Sequence, residues 1–228
     1  MSMGSTSPPE SGFAARPSSV MMARDPEVLQ MMLGFYAWPT ARVLDVTANK
    51  RRMWKGVVHT GEILYGDIDP EMEPDIVCDF RDVPMQSASV DVIVFDPPHL
   101  PVAAASEASD QGFVGRYGLA QSFKADNIAE YFPPFLIEAT RLLRPEGLIF
   151  VKLKDFVHNH KYQWMLAAFI NAVEAQDGLT ACDLIVKRDP SAGNMMSGRW
   201  QKAHHARNAH CWWIVVRKGR CESRRIAA

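Results

Sequence analysis

The chain has 228 residues, 47% of them hydrophobic, which is enough for one sizeable core and too few for a second full domain. Its formal net charge is −1, but the charge is uneven: from Lys187 onward ten Lys and Arg face two acids, whereas fifteen face twenty-four before it. There is little room for a second domain, a zinc site or disulfide scaffold is disfavoured by four cysteines with no C-x-x-C spacing, and the basic end is a sign of a polyanionic partner, with a merely solvated charge cluster as the alternative.

Taken in chain order, Met1 to Arg24 is rich in Ser, Pro, Gly and Met and has no apolar run of signal-peptide or membrane-span length. It predicts a disordered tail (residues 1–24) on a cytoplasmic protein with no membrane association. A helix follows over Pro26–Tyr36, then strands near Arg42–Thr47, Ile63–Ile68, Ile76–Asp79 and Asp91–Phe95. Leu100 to Phe123 is small and polar, with Gly112, Gly115 and Gly118 around Arg116 and Tyr117. A loop of that length in a compact domain reads as a lid or substrate loop, or else as a disordered segment. A helix is predicted over Asn127–Leu143, N-capped by Asp126 and stopped by the turn Arg144-Pro145-Glu146-Gly147. A strand over Leu148–Leu153 and a helix over Tyr162–Ala175 come next. Strands over Thr180–Lys187 and Cys211–Arg217 are expected to pair antiparallel.

Seven strands alternating with helices predict an α/β fold: a doubly wound, mainly parallel sheet with an antiparallel C-terminal strand, over residues 25–219, before a basic tail at 220–228. Between the last two strands, Arg199, Trp200, Lys202 and Arg207 offer cations beside an aromatic ring, as a phosphate-and-base contact surface would. Lys152 and Lys154 alternate with apolar neighbours. They can reach the cleft, though an edge lysine pointing to water is the plainer expectation. His158-x-His160 and His204-His205 lack a third ligand at a fixed spacing, so no metal is expected.

Four strand ends carry the chemistry. Asp45 closes the first core strand, and Thr47, Ala48 and Asn49 open the loop after it. Asp67 lies 22 residues after Asp45 at the tip of the next strand, where a carboxylate accepts from two adjacent ribose hydroxyls; Asp69 competes for that role. Asp79 and Phe80 can set a carboxylate and a ring near an adenine. The first loop has no G-x-G-x-x-G, which speaks against a pyrophosphate ligand. The fourth strand, Val90 to Phe95, runs into Asp96-Pro97-Pro98-His99. Prolines fix φ and lack N–H groups, so this turn is stiff and rich in acceptors. A carboxylate oxygen and a backbone carbonyl side by side suit the two hydrogens of a planar amino group.

With these motifs the chain resembles class I, Rossmann-like, S-adenosylmethionine-dependent methyltransferases of the amino-methylating kind, in which a D/N/S-P-P-aromatic motif follows the fourth strand. Its order, cofactor half first, is similar to one branch of the DNA adenine methylases. More narrowly, Leu44-Asp45-Val46-Thr47, Arg52-Met53-Trp54, Glu73 to Phe80 and Val94 to Leu100 resemble a compact group of bacterial and phage-borne methyltransferases.

The resemblance implies S-adenosyl-L-methionine as cofactor, its methionine end held by Asp45 and the Thr47–Asn49 loop, its ribose by Asp67 or Asp69 and its adenine by Asp79 with Phe80. Asp96, Pro97, Pro98 and His99 would form the catalytic turn, with His99 standing where large aromatics are common. Arg116, Tyr117, Arg199, Lys202 and Arg207 would hold a nucleic acid, DNA in preference to RNA, and a homodimer is left open. The implied activity is methylation of an exocyclic amino group, adenine in DNA first. An RNA base amino-methyltransferase and a non-catalytic nucleic-acid-binding relative are the alternatives.

Overall fold

The computed structural model describes residues 16–98, 125–158, 161–190 and 208–221. In chain order these form β1 (Val20–Met22), α1 (Asp25–Tyr36), β2 (Val43–Asp45), β3 (Ile63–Asp67), β4 (Ile76–Val77), β5 (Val90–Phe95), α2 (Phe132–Leu142), β6 (Leu143–Leu153), β7 (Phe156–His158), β8 (Lys161–Gln163), α3 (Met165–Glu174), β9 (Leu179–Arg188) and β10 (His210–Lys218).

One sheet has the order β1-β9-β10-β6-β5-β2-β3-β4. The pairs β2–β3, β3–β4, β2–β5, β5–β6 and β1–β9 are parallel, and β10 runs antiparallel between β6 and β9. Strand order reverses between β2 and β5, the topological switch point where doubly wound sheets open a crevice at their carboxyl edge. Period-two alternation divides the core. Ile93, Phe95, Ile149 and Val151 face α2 and α3, meeting Phe132, Phe135 and Phe169. Val92, Val94, Leu148 and Phe150 face α1, meeting Val28, Leu29 and Met32. Buried on both faces, β5 and β6 fix the depth of the residues that leave their carboxyl ends.

Three features differ from the sequence expectation. Among the described residues the sheet has eight strands, because β1 lies within the stretch expected as tail: Val20–Met22 pairs with Val186–Arg188, and the Ala23 N–H bonds the Arg188 carbonyl at 3.0 Å. The helix expected from Asn127 starts as a 3₁₀ segment over Ala125–Tyr131, and α2 proper begins at Phe132. Pro133 and Pro134 fit the boundary, since proline is tolerated in the first turn of a helix, where its missing N–H would have no intrahelical partner. The hairpin of β7 and β8 takes residues up to Gln163, so the helix expected from Tyr162 begins at Met165.

The turn at Arg144–Gly147 is a bulge inside β6, where the register jumps from Val90↔Leu143 to Val92↔Leu148 and Glu146 adopts φ 63°. Gly147 is required there, because a Cβ would sit 2.9 Å from the Arg144 carbonyl oxygen. The antiparallel pairing of the last two strands is as expected. Asp126, the expected N-cap, lies among residues whose side chains are not described.

Candidate active site

The loop after β2 is built around two buried carboxylates. Asp45 is fully buried; its Oδ1 accepts the Thr47 N–H at 2.9 Å and its Oδ2 the Trp54 indole N–H at 2.6 Å. Burial pushes its pKa up to about 7, against the pull of those two donors, and the nearby charges of Asp96 and Asp67 add to the rise. Asp67, the last residue of β3, accepts the Asn49 N–H at 2.6 Å and the Asp69 N–H at 3.0 Å. Its pKa is raised too, mainly by burial.

The glycine-poor loop turns through two left-handed residues, Asn49 at φ 44° and Arg51 at φ 52°. Asparagine tolerates that region well. Arg51 is held there by its guanidinium, which stacks 4.3 Å from the Tyr65 ring centroid and bonds the Glu73 carbonyl at 2.6 Å.

The turn after β5 is joined to this loop and to a chain of charges. The Asp96 N–H donates to Thr47 Oγ1 at 2.8 Å. Asp96 Oδ2 lies 3.0 Å from Lys152 Nζ, which lies 3.0 Å from Asp25 Oδ2; Asp25 Oδ1 accepts from Lys187 Nζ at 2.8 Å. Asp25 opens α1, Lys152 is the penultimate residue of β6 and Lys187 sits near the end of β9, so the network joins three elements across the carboxyl edge. Burial opposes the Lys152 charge, yet Asp96 and Asp25 overcome it and hold the ammonium above its ordinary pKa.

A cleft of about 260 Å³ opens over these groups. Of the residues predicted from sequence, Thr47, Ala48, Asn49, Asp67, Phe80, Asp96 and Pro98 line it together. Asp45, Asp69, Asp79 and Pro97 do not. Asp45 is taken up by the loop, and Asp69 caps the turn after β3 by accepting the Glu71 N–H at 2.9 Å. Asp79 is gripped by Arg81, whose hydrogen bonds hold its carboxyl below the usual range.

Phe80 stands edge-on to Phe95 with centroids 5.0 Å apart, so the ring at the cleft wall is fixed from behind. His99, Arg116, Tyr117, Arg199, Lys202 and Arg207 lie outside the described residues, as do His160, His204 and His205. Among the described residues no group of three His, Cys, Asp or Glu side chains is placed to hold a metal ion, and no helix is long and apolar enough to cross a membrane.

Sequence reasoning missed Asp25 and undervalued Lys152, both of which line the cleft. A lysine near the end of a strand buried on both faces is itself a signal, because such a cation needs carboxylate partners. Asp25 gave no separate signal, since an acid in the first turn of a helix is commonplace.

No known family profile matches the chain, and no curated protein matches it. Solved structures do. TrmN from Thermus thermophilus superposes with a TM-score of 0.53 at 16% identity, over 85% of this chain and 48% of its own, so the chain spans about half the length of that protein. A 1,6-didemethyltoxoflavin-N1-methyltransferase from Burkholderia thailandensis, solved with S-adenosylhomocysteine bound, gives 0.50 at 13% identity over 87% and 78%. A candidate sarcosine dimethylglycine methyltransferase from Galdieria sulphuraria gives 0.53 at 13% identity over 85% of both chains. The fold is therefore that of methyltransferases, and likeness at this distance speaks for the fold alone.

Proposed function

We propose that the chain is an S-adenosylmethionine-dependent methyltransferase that modifies an exocyclic amino group of a nucleobase, adenine in DNA first. The observation that carries this reading is the meeting, in one cleft at the switch point of a methyltransferase fold, of Asp67, Phe80 and the Thr47–Asn49 loop with Asp96 and Pro98. The residues suit the cofactor. The Asp67 oxygens accept the Asn49 and Asp69 N–H groups, a carboxylate has about four acceptor sites and so can also take a ribose hydroxyl, and Phe80 lines the same cleft. A loop without a glycine nest suits a ligand without phosphate.

S-adenosylmethionine, when bound, supplies a methyl group on a sulfonium sulfur: the target nitrogen forms the N–CH₃ bond, and the electron pair of the broken S–CH₃ bond stays on sulfur as a neutral thioether. The chain's part is positioning and electrostatics. Asp96, in the cleft lining, accepts a hydrogen of the amino group, which aims the nitrogen lone pair at the methyl. The Lys152 ammonium, 3.0 Å from Asp96 Oδ2, balances the charge of that acceptor. After transfer the nitrogen carries a proton too many, and it passes to the Asp96 carboxylate and on to solvent. Away from the cleft lining, Asp155, at 3% exposure, ties α3 to β10 by accepting from the Leu166 N–H and the Trp212 indole N–H, both at 3.0 Å.

The test is incubation with S-adenosylmethionine and unmodified DNA or total RNA, followed by digestion to nucleosides and mass spectrometry. N6-methyladenine in DNA is the expected product. Label confined to RNA would move the substrate to RNA, and label in neither would contradict the reading.

A further inference from the structure

We infer that Lys152 reads the substrate: its ammonium donates to a ring nitrogen beside the target amino group, so the cleft selects the amino-and-bare-nitrogen edge of adenine or cytosine. The inference rests on the amino-methyltransferase reading above and adds to it a specificity residue and a criterion for the base.

An ammonium carries three donors. Two of those on Lys152 meet Asp96 Oδ2 and Asp25 Oδ2, each at 3.0 Å. The tetrahedral geometry of Nζ turns the third away from both carboxylates, and Lys152 lines the same cleft as Asp96 and Pro98. Asp25 does more than neutralise Lys152. With its other oxygen tied to Lys187 at 2.8 Å, it gives the ammonium a second anchor besides Asp96. The lysine side chain is 14% exposed, so its donor is fixed in place rather than waving at a surface.

The cleft thus presents an acceptor and a donor side by side, 3.0 Å apart. A base edge that presents a donor and an acceptor side by side is its complement, the logic by which a side-chain amide grips adenine. Adenine offers N6–H beside N1, and cytosine N4–H beside N3. On its Watson–Crick edge guanine offers its amino group beside N1–H, which would set a donor against the ammonium; its other flank, N3, has the matching pattern but lies beside the sugar. An aliphatic amine has no neighbouring acceptor at all. Discrimination follows because a polar group left facing the wrong partner in a closed site is costly.

The test compares oligonucleotides carrying adenine or 1-deazaadenine, and cytosine or 3-deazacytosine, at the methylated position, with the wild type, Lys152→Met and Lys152→Gln. Loss of the ring nitrogen should lower wild-type kcat/KM by about 10- to 100-fold. Lys152→Met should methylate base and deaza-base at the same reduced rate. Lys152→Gln, which keeps a donor, should retain part of the discrimination, and it serves if the methionine variant does not fold. A residue that merely positions Asp96 would lower both rates and leave their ratio unchanged, which overturns the inference, as does a wild type indifferent to the ring nitrogen. A wild type that methylates no amino-bearing base overturns the underlying reading instead, and the inference falls with it.

Discussion

Thr47 Oγ1 accepts the backbone N–H of Asp96 at 2.8 Å, across 49 residues of sequence. The loop that would hold the cofactor and the turn that would hold the target are thereby one piece, and Thr47 Oγ1 also lies 3.4 Å from Asp45 Oδ1. Thr47→Val keeps the shape and removes the acceptor. It should cost about 1 kcal/mol in urea-denaturation stability. Cofactor affinity and turnover should fall together, and Thr47→Ser should restore both. Loss of turnover with cofactor affinity unchanged would show that the two halves are not coupled through this bond.

Asp45 makes stability fall as pH rises. Its carboxyl titrates at about 7 when folded and at 3.8 ordinarily, so between those values the folded protein keeps a proton that the unfolded chain has lost. Stability then declines across that window by about 1.4 kcal/mol per pH unit at the steepest. Asp45→Asn abolishes this slope. Melting temperatures of wild type and variant from pH 4 to 8 should show a wild-type advantage that is greatest near pH 4 and shrinks toward pH 7. A constant or widening difference would count against the burial of that charge.

Asp25 neutralises two largely buried ammonium groups, Lys152 and Lys187. Removing one partner of a buried ionic network is far costlier than removing an exposed pair. Asp25→Ala should therefore cost about 3 kcal/mol in urea titration near neutral pH. The loss should narrow at alkaline pH, since the stability that Asp25 lends by raising the Lys152 pKa is lost as pH rises above that group's ordinary value. A cost under about 1 kcal/mol would reduce the network to a surface ion pair.

Asp155 joins α3 to β10 through the Leu166 N–H and the Trp212 indole N–H, and its backbone carbonyl takes the Asn208 side chain at 2.6 Å. Asp155→Ala leaves two donors unsatisfied in a site that is 3% exposed, and should cost about 2 kcal/mol by thermal or urea unfolding. A near-neutral substitution would mean that water replaces the carboxylate there.

Much of the fold was legible because it rests on long apolar runs. Val90 to Phe95 and Leu148 to Leu153 are buried on both faces, and such strands read plainly in sequence. What escaped rests on few residues or on partners distant in sequence. β1 has three residues, exposed at Val20 and Met22, and it exists only because the edge of β9 is there to pair with. The hairpin of β7 and β8 overlaps the expected helix only at Tyr162 and Gln163.

In the site, the strand-end carboxylates were found by position, but position does not tell a ligand-facing acid from one spent inside the protein. Asp45 is consumed by Trp54, nine residues on, and Asp79 by Arg81, two residues on. Lys152 was visible and misjudged, because its partners Asp25 and Asp96 lie 127 and 56 residues away.

The central claim is that Asp96 receives the amino group that is methylated. The most direct measurement is single-turnover transfer from methyl-deuterated S-adenosylmethionine to unmodified DNA by wild type, Asp96→Asn and Asp96→Ala, with cofactor affinity measured by calorimetry on each. The account predicts label on an exocyclic amino nitrogen in the wild type, strong loss in Asp96→Asn, none detectable in Asp96→Ala, and cofactor affinity within a few-fold throughout. Asp25 remains to pair with Lys152 in both variants, so the cleft should stay folded. Undiminished transfer by Asp96→Ala, or label on a carbon or oxygen atom instead of an amino nitrogen, would contradict it.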